Sequence, residues 1–242
     1  MSERLDSQVG LNEMESFATE IKRFNRSLAL KGALPPGIEV LHPFRDDNRV
    51  LPWSDAFYDR FYSDLQTRHL ILGINPGRLG AGQTGIPFTD TKRLFDYFGL
   101  GDSNSLTHET SSAFVYKVID AFGGAKHFYK RFLVSSVSPL GFVSVNGGKE
   151  VNFNYYDSAE LQKAVTPFIV QCMETQLSWP INREVVYCLG TGKNLAFLNE
   201  LNKSYRWFER IVALEHPRYI MQYKSKHVDA FIEKYLQVLS NG

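Results

Sequence analysis

Cysteine is scarce in this chain: Cys172 and Cys188 are the only two, and they do not form a CxxC pair. Two thiolates on their own hold neither a structural zinc nor an iron–sulfur cluster, and as free thiols they pack like small hydrophobes. Long apolar runs are missing too, since none approaches the roughly 18 residues of a membrane span. The start, Met1-Ser-Glu-Arg-Leu-Asp-Ser-Gln, lacks the apolar stretch of a secretory signal. No excess of one charge is present, with 27 Lys and Arg against 26 Asp and Glu, so neither a basic tail-binder nor an acidic solubiliser is indicated. Repeats and low-complexity linkers are absent. These absences predict a cytoplasmic protein without membrane contact. What is abundant is aromatic surface, 14% of residues, within a chain that is 43% apolar. A chain of 242 residues exceeds the typical domain length of about 150 only modestly, so one domain over 1–242 is expected, large enough to need no disulfide or metal for stability.

Apolar spacing divides the chain into elements. Met14, Phe17, Ile21, Phe24 and Leu28 recur every three or four residues, one stripe of an amphipathic helix that Gly32 ends. Residues 33–52, with Pro35, Pro36, Pro43 and Pro52, are expected to lack regular structure. Trp53, Phe57, Phe61 and Leu65 give a second helix, completing a helical extension at about 10–65. His69–Gly73 is a compact apolar run ended by Asn75-Pro76-Gly77, read as a buried strand. Helices are expected at 92–98, 112–122, 161–173, 193–202 and 228–239, strands at 132–137, 184–189 and 211–214, and a hairpin around Asn146-Gly147-Gly148. Four short buried strands separated by helices predict a three-layer α/β/α fold around a mainly parallel four-stranded sheet.

In such sheets ligands bind beyond the carboxyl ends of the strands, which directs attention to residues 73–90, 135–142 and 214–224. The first segment carries five glycines in the sixteen residues from Gly73 to Phe88, so backbone can approach a ligand closely. It fits neither GxGxxG nor the GxxxxGK[ST] phosphate loop. The third segment, Glu215-His-Pro-Arg-Tyr-Ile-Met-Gln-Tyr-Lys224, follows a strand directly and puts His216 on the same sheet edge as Asn75. Residues 203–226 hold six basic side chains against two acidic ones, a local excess of four. These basic residues are interleaved with aromatic ones, the pattern of a nucleic-acid face.

Gly73-Ile-Asn-Pro-Gly77 followed by Gln83-Thr-Gly-Ile-Pro-Phe88 resembles, without gaps, the first motif of the uracil-DNA glycosylase superfamily. The similarity is greatest to its single-strand-selective monofunctional branch (GMNPG…QTGVPF). His216-Pro217 resembles the second motif, Ser138-Pro139-Leu140 a CPL element between them, and Val185 to Gly192 the strand before a Gly-x-Gly turn. The sequence departs from that branch in three places. His216-Pro217-Arg218-Tyr219 stands where it has HPSPRN, two residues longer; Ser136 stands for an asparagine that reads the uracil edge; Ala81 replaces a pocket methionine. A serine hydroxyl lacks the paired donor and acceptor of an amide.

The resemblance implies a monofunctional DNA glycosylase that excises uracil, or a 5-modified uracil, by hydrolysing the N-glycosidic bond in base excision repair. The target base is extruded from DNA, single- or double-stranded. It further implies a catalytic pair, Asn75 and His216. The base would lie among Gly73, Ile74, Gly77, Ala81, Gln83, Phe88 and Ser136, and DNA would meet Arg218, Tyr219, Ile220, Met221, Lys224 and Lys226. No cofactor or metal is called for, and a monomer that joins the nucleoid when acting on DNA is expected. The other reading is a non-catalytic nucleic-acid or nucleotide-binding module that kept the fold, but binding alone does not require both Asn75 and His216.

Overall fold

A computed structural model describes residues 16–241; Met14 and the start of the expected helical extension lie outside them. Helix α1 (Phe17–Ser27) opens at Ser16, whose hydroxyl accepts from the Thr19 amide at 3.3 Å, a side-chain cap for an otherwise unpaired donor. Its buried stripe is the expected one, Phe17, Ile21 and Phe24, and Phe17 and Phe24 meet the Trp179 ring edge-on at 5.7 and 5.4 Å.

The proline-rich stretch is more ordered than its composition suggests. It holds strand β1 (Ile38–Leu41), the single-turn helix α2 (Pro43–Asp46) and the start of α3 (Val50–Tyr62). The expectation of irregular structure at 33–52 is therefore corrected. Pro43 and Pro52 sit in the first turns of their helices, where a backbone N–H has no helical partner to lose. Prolines 35 and 36 fall before β1, which is an edge strand.

The chain continues through β2 (Arg68–Gly73), α4 (Ala81–Thr84), α5 (Thr91–Phe98), α6 (Thr110–Ala121), α7 (Ala125–Arg131) and β3 (Phe132–Ser136). Then come β4 (Gly141–Asn146), β5 (Lys149–Phe153), α8 (Ala159–Leu177), β6 (Ile181–Leu189), α9 (Lys193–Tyr205), β7 (Arg210–Leu214), α10 (Pro217–Tyr223) and α11 (Val228–Ser240). Strands β3-β2-β6-β7 form one parallel sheet in that order, flanked by helices as the three-layer α/β/α expectation requires. Strand β2 is central and almost wholly buried, hence its unbroken apolar run.

A smaller antiparallel sheet, β1-β4-β5, packs beside it. Its hairpin turns through Gly147 and Gly148, both at positive φ (57° and 79°), the backbone that tight two-residue turns demand. This hairpin brings β5 against the loop after β2.

Candidate active site

The carboxyl ends of the four parallel strands lie on one side. Gly73 pairs with Ser136 at the ends of β2 and β3. The pairing runs on past the sheet, with Val137 N donating to Gly73 O and Ser138 N to Ile74 O, both at 3.0 Å. Beyond this edge opens a cleft of about 280 Å³ lined by Ile74, Asn75, Gly77, Ala81, Phe88, Ser136, His216, Arg218 and Tyr219. Two segments far apart in sequence thus converge at the sheet edge where ligands of such folds bind.

Asn75 is clamped by backbone. Its Oδ1 accepts from Tyr155 N at 3.1 Å, and its Nδ2 lies 3.3 Å from both Phe153 O and Pro76 O. An amide N–H must face an oxygen, so these partners fix which end of the side chain is which. Both N–H groups are used, and one Oδ1 lone pair is left for a water. The clamp is itself held: Tyr155 Oη donates to Asn194 Oδ1 at 2.7 Å, and Asn194 Nδ2 donates to Leu189 O at 3.1 Å. Strand β6 therefore supports the Asn75 loop through two buried side chains.

His216 caps α10. Its Nδ1 accepts from Arg218 N at 3.2 Å, so the neutral ring carries its proton on Nε2. Burial, seconded by the charge of Arg218, pushes the imidazole pKa down to about 4. The preceding carboxylate, Glu215, bonds instead to Lys234 at 2.8 and 3.0 Å. That pairing keeps Glu215 below its ordinary pKa against the upward push of burial. His216 is thus a neutral imidazole with its proton on Nε2.

Phe88 stands beside His216, ring centroids 5.9 Å apart, and takes a left-handed backbone (φ 54°). A non-glycine residue held there marks strain that the surroundings must enforce. Gly73 leaves it room: a Cβ on Gly73 would lie 2.8 Å from the Phe88 ring. Gly73→Ala should therefore displace that ring, cost about 1–3 kcal/mol of stability and lower base excision at least tenfold. Thermal melting and single-turnover excision measure both, and a variant active at the wild-type rate would free Phe88 of its assigned place.

Several assignments need correction. Residues 217–223 are a helix rather than a loop, because Pro217 starts α10 and His216 caps it. Ile220 is fully buried in the core and so does not face DNA; helical spacing turns it inward while Arg218 and Tyr219 face out. Met221 is half-buried and packs against the core. Gln83, on α4, does not line the cleft, and Gly73 lies behind Phe88 rather than at its surface. Lys224 and Lys226 are exposed beyond α10.

Other lining residues went unread in the sequence. Glu109, Asn152, Asn154 and Tyr156 all reach the cleft. Glu109 precedes α6, and burial, with Asp90 adding, pushes its carboxyl above the ordinary range against the Ser112 hydroxyl and the Arg218 charge. The one available signal was its place just ahead of a helical stripe. Among the described residues no group of three or more His, Cys, Asp or Glu side chains is arranged to hold a metal.

A search of curated proteins finds no match. Among solved structures, the crystal structure of wild-type Pedobacter heparinus SMUG2 is 50% identical, with a TM-score of 0.91, and the match covers 95% of this chain and all of that one. The Uracil DNA glycosylase superfamily model matches residues 60–240. That span takes in both the Asn75 and the His216 segments together with the strands that carry them, and the chain belongs to the uracil DNA glycosylase superfamily.

Proposed function

We infer that this chain is a monofunctional uracil-DNA glycosylase of base excision repair, and that Asn75 and His216 are its catalytic pair. The observation that carries the assignment of the pair is their geometry. An asparagine with one free Oδ1 lone pair and a neutral histidine with a free Nε2–H open into one cleft that Phe88, beside the histidine, also lines.

A deoxyuridine swings out of the stack and its base enters the cleft against Phe88. The C1′–N1 bond breaks with its electron pair going to the base, leaving a sugar cation and a uracil anion. His216 Nε2–H donates to O2 of the leaving base, a dipole placed where charge develops. Asn75 Oδ1 holds one proton of a water whose oxygen closes on C1′; asparagine is no base, and the cationic carbon needs none until the bond has formed. The surplus proton is then lost to the uracil anion, leaving neutral uracil and a 1′-hydroxyl. Among the described residues no lysine lines the cleft, in keeping with hydrolysis rather than a Schiff base and strand cleavage. The chain would act as a monomer in the cytoplasm, at the nucleoid when engaged on DNA.

The DNA face comprises Arg218 and Tyr219 at the rim, with Met221 behind them and Lys224 and Lys226 beyond. Neutralising the two lysines should flatten the salt dependence of binding by about one unit of slope for each phosphate no longer neutralised. Arg218→Ala should depress excision from duplex more than from single strands, because only the duplex must be wedged open. Equal losses on both substrates would remove Arg218 from that role. The functional reading itself is tested by excision from labelled oligonucleotides carrying uracil, 5-hydroxymethyluracil, xanthine or hypoxanthine, single- and double-stranded. Failure on all of them would favour the non-catalytic module.

A further inference from the structure

Tyr187, on β6 inside the parallel sheet, carries a buried hydroxyl with nothing to bond. The residue is 1% exposed, and its Oη has no hydrogen-bond partner among the described residues. Burying an unpaired hydroxyl is costly, so such a group in a native fold calls for a partner. Its direction follows from the register. Residues paired across parallel strands share a face of the sheet, as do alternate residues of one strand. Tyr187 pairs with Ile71 and Val212, and His69 with Phe132, so His69, Phe132 and Arg210 lie on its face. The Tyr187 ring meets His69 and Phe132, centroids 6.2 and 5.9 Å apart. It therefore leans towards the amino ends of the strands, away from the cleft.

The surroundings there are cationic. Arg210 opens β7, is exposed, and makes no ion pair or side-chain hydrogen bond among the described residues. Arg131, the last residue of α7, lies over the Phe122 and Phe132 rings at 5.6 and 5.5 Å. Burial pushes the Tyr187 hydroxyl pKa up, and the charges of Arg131 and Arg210 work against it, so both guanidinium groups act on the same atom. Arg131 also lines an open depression of about 480 Å³ against α11, together with His127 and Lys130, and no carboxylate is among its lining residues. We propose that this end of the sheet binds a phosphate group, held by Arg131, Arg210 and Tyr187 Oη with Lys130 at the rim. Guanidinium groups match phosphate oxygens in both geometry and charge. Their long side chains swing onto the anion, and the hydroxyl gains the acceptor it lacks. Arg131 and Arg210 stand at the amino ends of β3 and β7, whereas the cleft opens at the carboxyl ends. The phosphate therefore belongs to a free ligand, or to a stretch of DNA other than the one in the cleft. This inference stands apart from the functional reading.

The test follows the tyrosine and arginine side-chain NMR signals of the full chain. Inorganic phosphate is added in one arm and a uracil-free DNA duplex in another, with sodium chloride at matched ionic strength as control. Saturable shifts of the Tyr187 and Arg210 signals are expected, and Tyr187→Phe and Arg210→Gln should each weaken binding at least about tenfold, the scale of one hydrogen bond to a charged group. Shifts from the duplex assign the phosphate to a DNA backbone; shifts from inorganic phosphate alone assign it to a free ligand. Without phosphate, Tyr187→Phe should melt no lower than the wild type, because it removes only an unpaired hydroxyl. Added phosphate should raise the melting temperature of the wild type more than that of either variant. Arg210, exposed at a strand end, decides the matter if Tyr187→Phe does not fold. No shift with either ligand, the same shift with chloride, or undiminished binding in a folded variant overturns the proposal.

Discussion

Asn75→Ala should lower the single-turnover rate of uracil excision at least about a hundredfold, the scale of losing a positioned catalytic group, while DNA affinity stays within a few-fold. Asn75 is assigned the water, and neither DNA phosphate nor the base face is expected to touch it. The same substitution unmakes three hydrogen bonds to backbone, from Tyr155 N and to Phe153 O and Pro76 O. Leaving a partly buried group unpaired costs about 1–3 kcal/mol, so a lower melting temperature should accompany the loss of rate. The two effects separate by temperature: assayed well below its melting point, the variant should remain slow. Wild-type turnover there would remove Asn75 from the mechanism.

His216→Ala should cost about 2–4 kcal/mol of transition-state stabilisation, the size of one lost oxyanion donor. Its pH behaviour is the sharper test. With a folded-state pKa near 4, the ring is already neutral throughout the window from about 6.5 to 8 that brackets the ordinary histidine range. The wild-type rate should be flat across it. A rate that falls steadily there, and only when His216 is present, would make the imidazolium the active form. Stability carries the same signature with a definite sign. The unfolded chain takes up a proton near 6.5 and the folded chain only near 4. Acidification through that interval therefore favours unfolding, and above it this group adds no pH dependence. Removing the imidazole should remove this part of the acid sensitivity, which denaturant titrations at several pH values would reveal.

The parallel sheet was legible because β2, β3 and the second half of β6 are buried on both faces and its strands read as apolar runs, two of them punctuated by Asn75-Pro76-Gly77 and Gly190-Thr191-Gly192. Both catalytic candidates could be placed because each follows such a run directly. The elements that escaped were those whose local chemistry misleads. Pro43 and Pro52 point to irregular backbone, yet they occupy helix first turns. The short helix α10 was hidden because His216, its cap, is not a usual capping residue, and with it went the inward turn of Ile220. Glu109 and Asn152 were unreadable for a different reason. Each reaches the cleft only through tertiary packing, one from before α6 and one from the hairpin, and no spacing within either segment announces the encounter.

The clamp on Asn75 also bears on when the protein becomes dangerous to DNA during its own synthesis. A chain emerges from the ribosome amino end first, and Asn75 is made early. Its partners Phe153 and Tyr155 come later, Asn194 later still, and His216 only after the last strand of the sheet. Strand β6, which must pair with β2 before β7 can dock, lies between the two catalytic segments in the sheet. A nascent or prematurely ended chain therefore holds the segment assigned to positioning water without the residue assigned to releasing the base. Such a product should leave uracil in place, so on this reading the capacity to make abasic sites arrives only with the finished sheet.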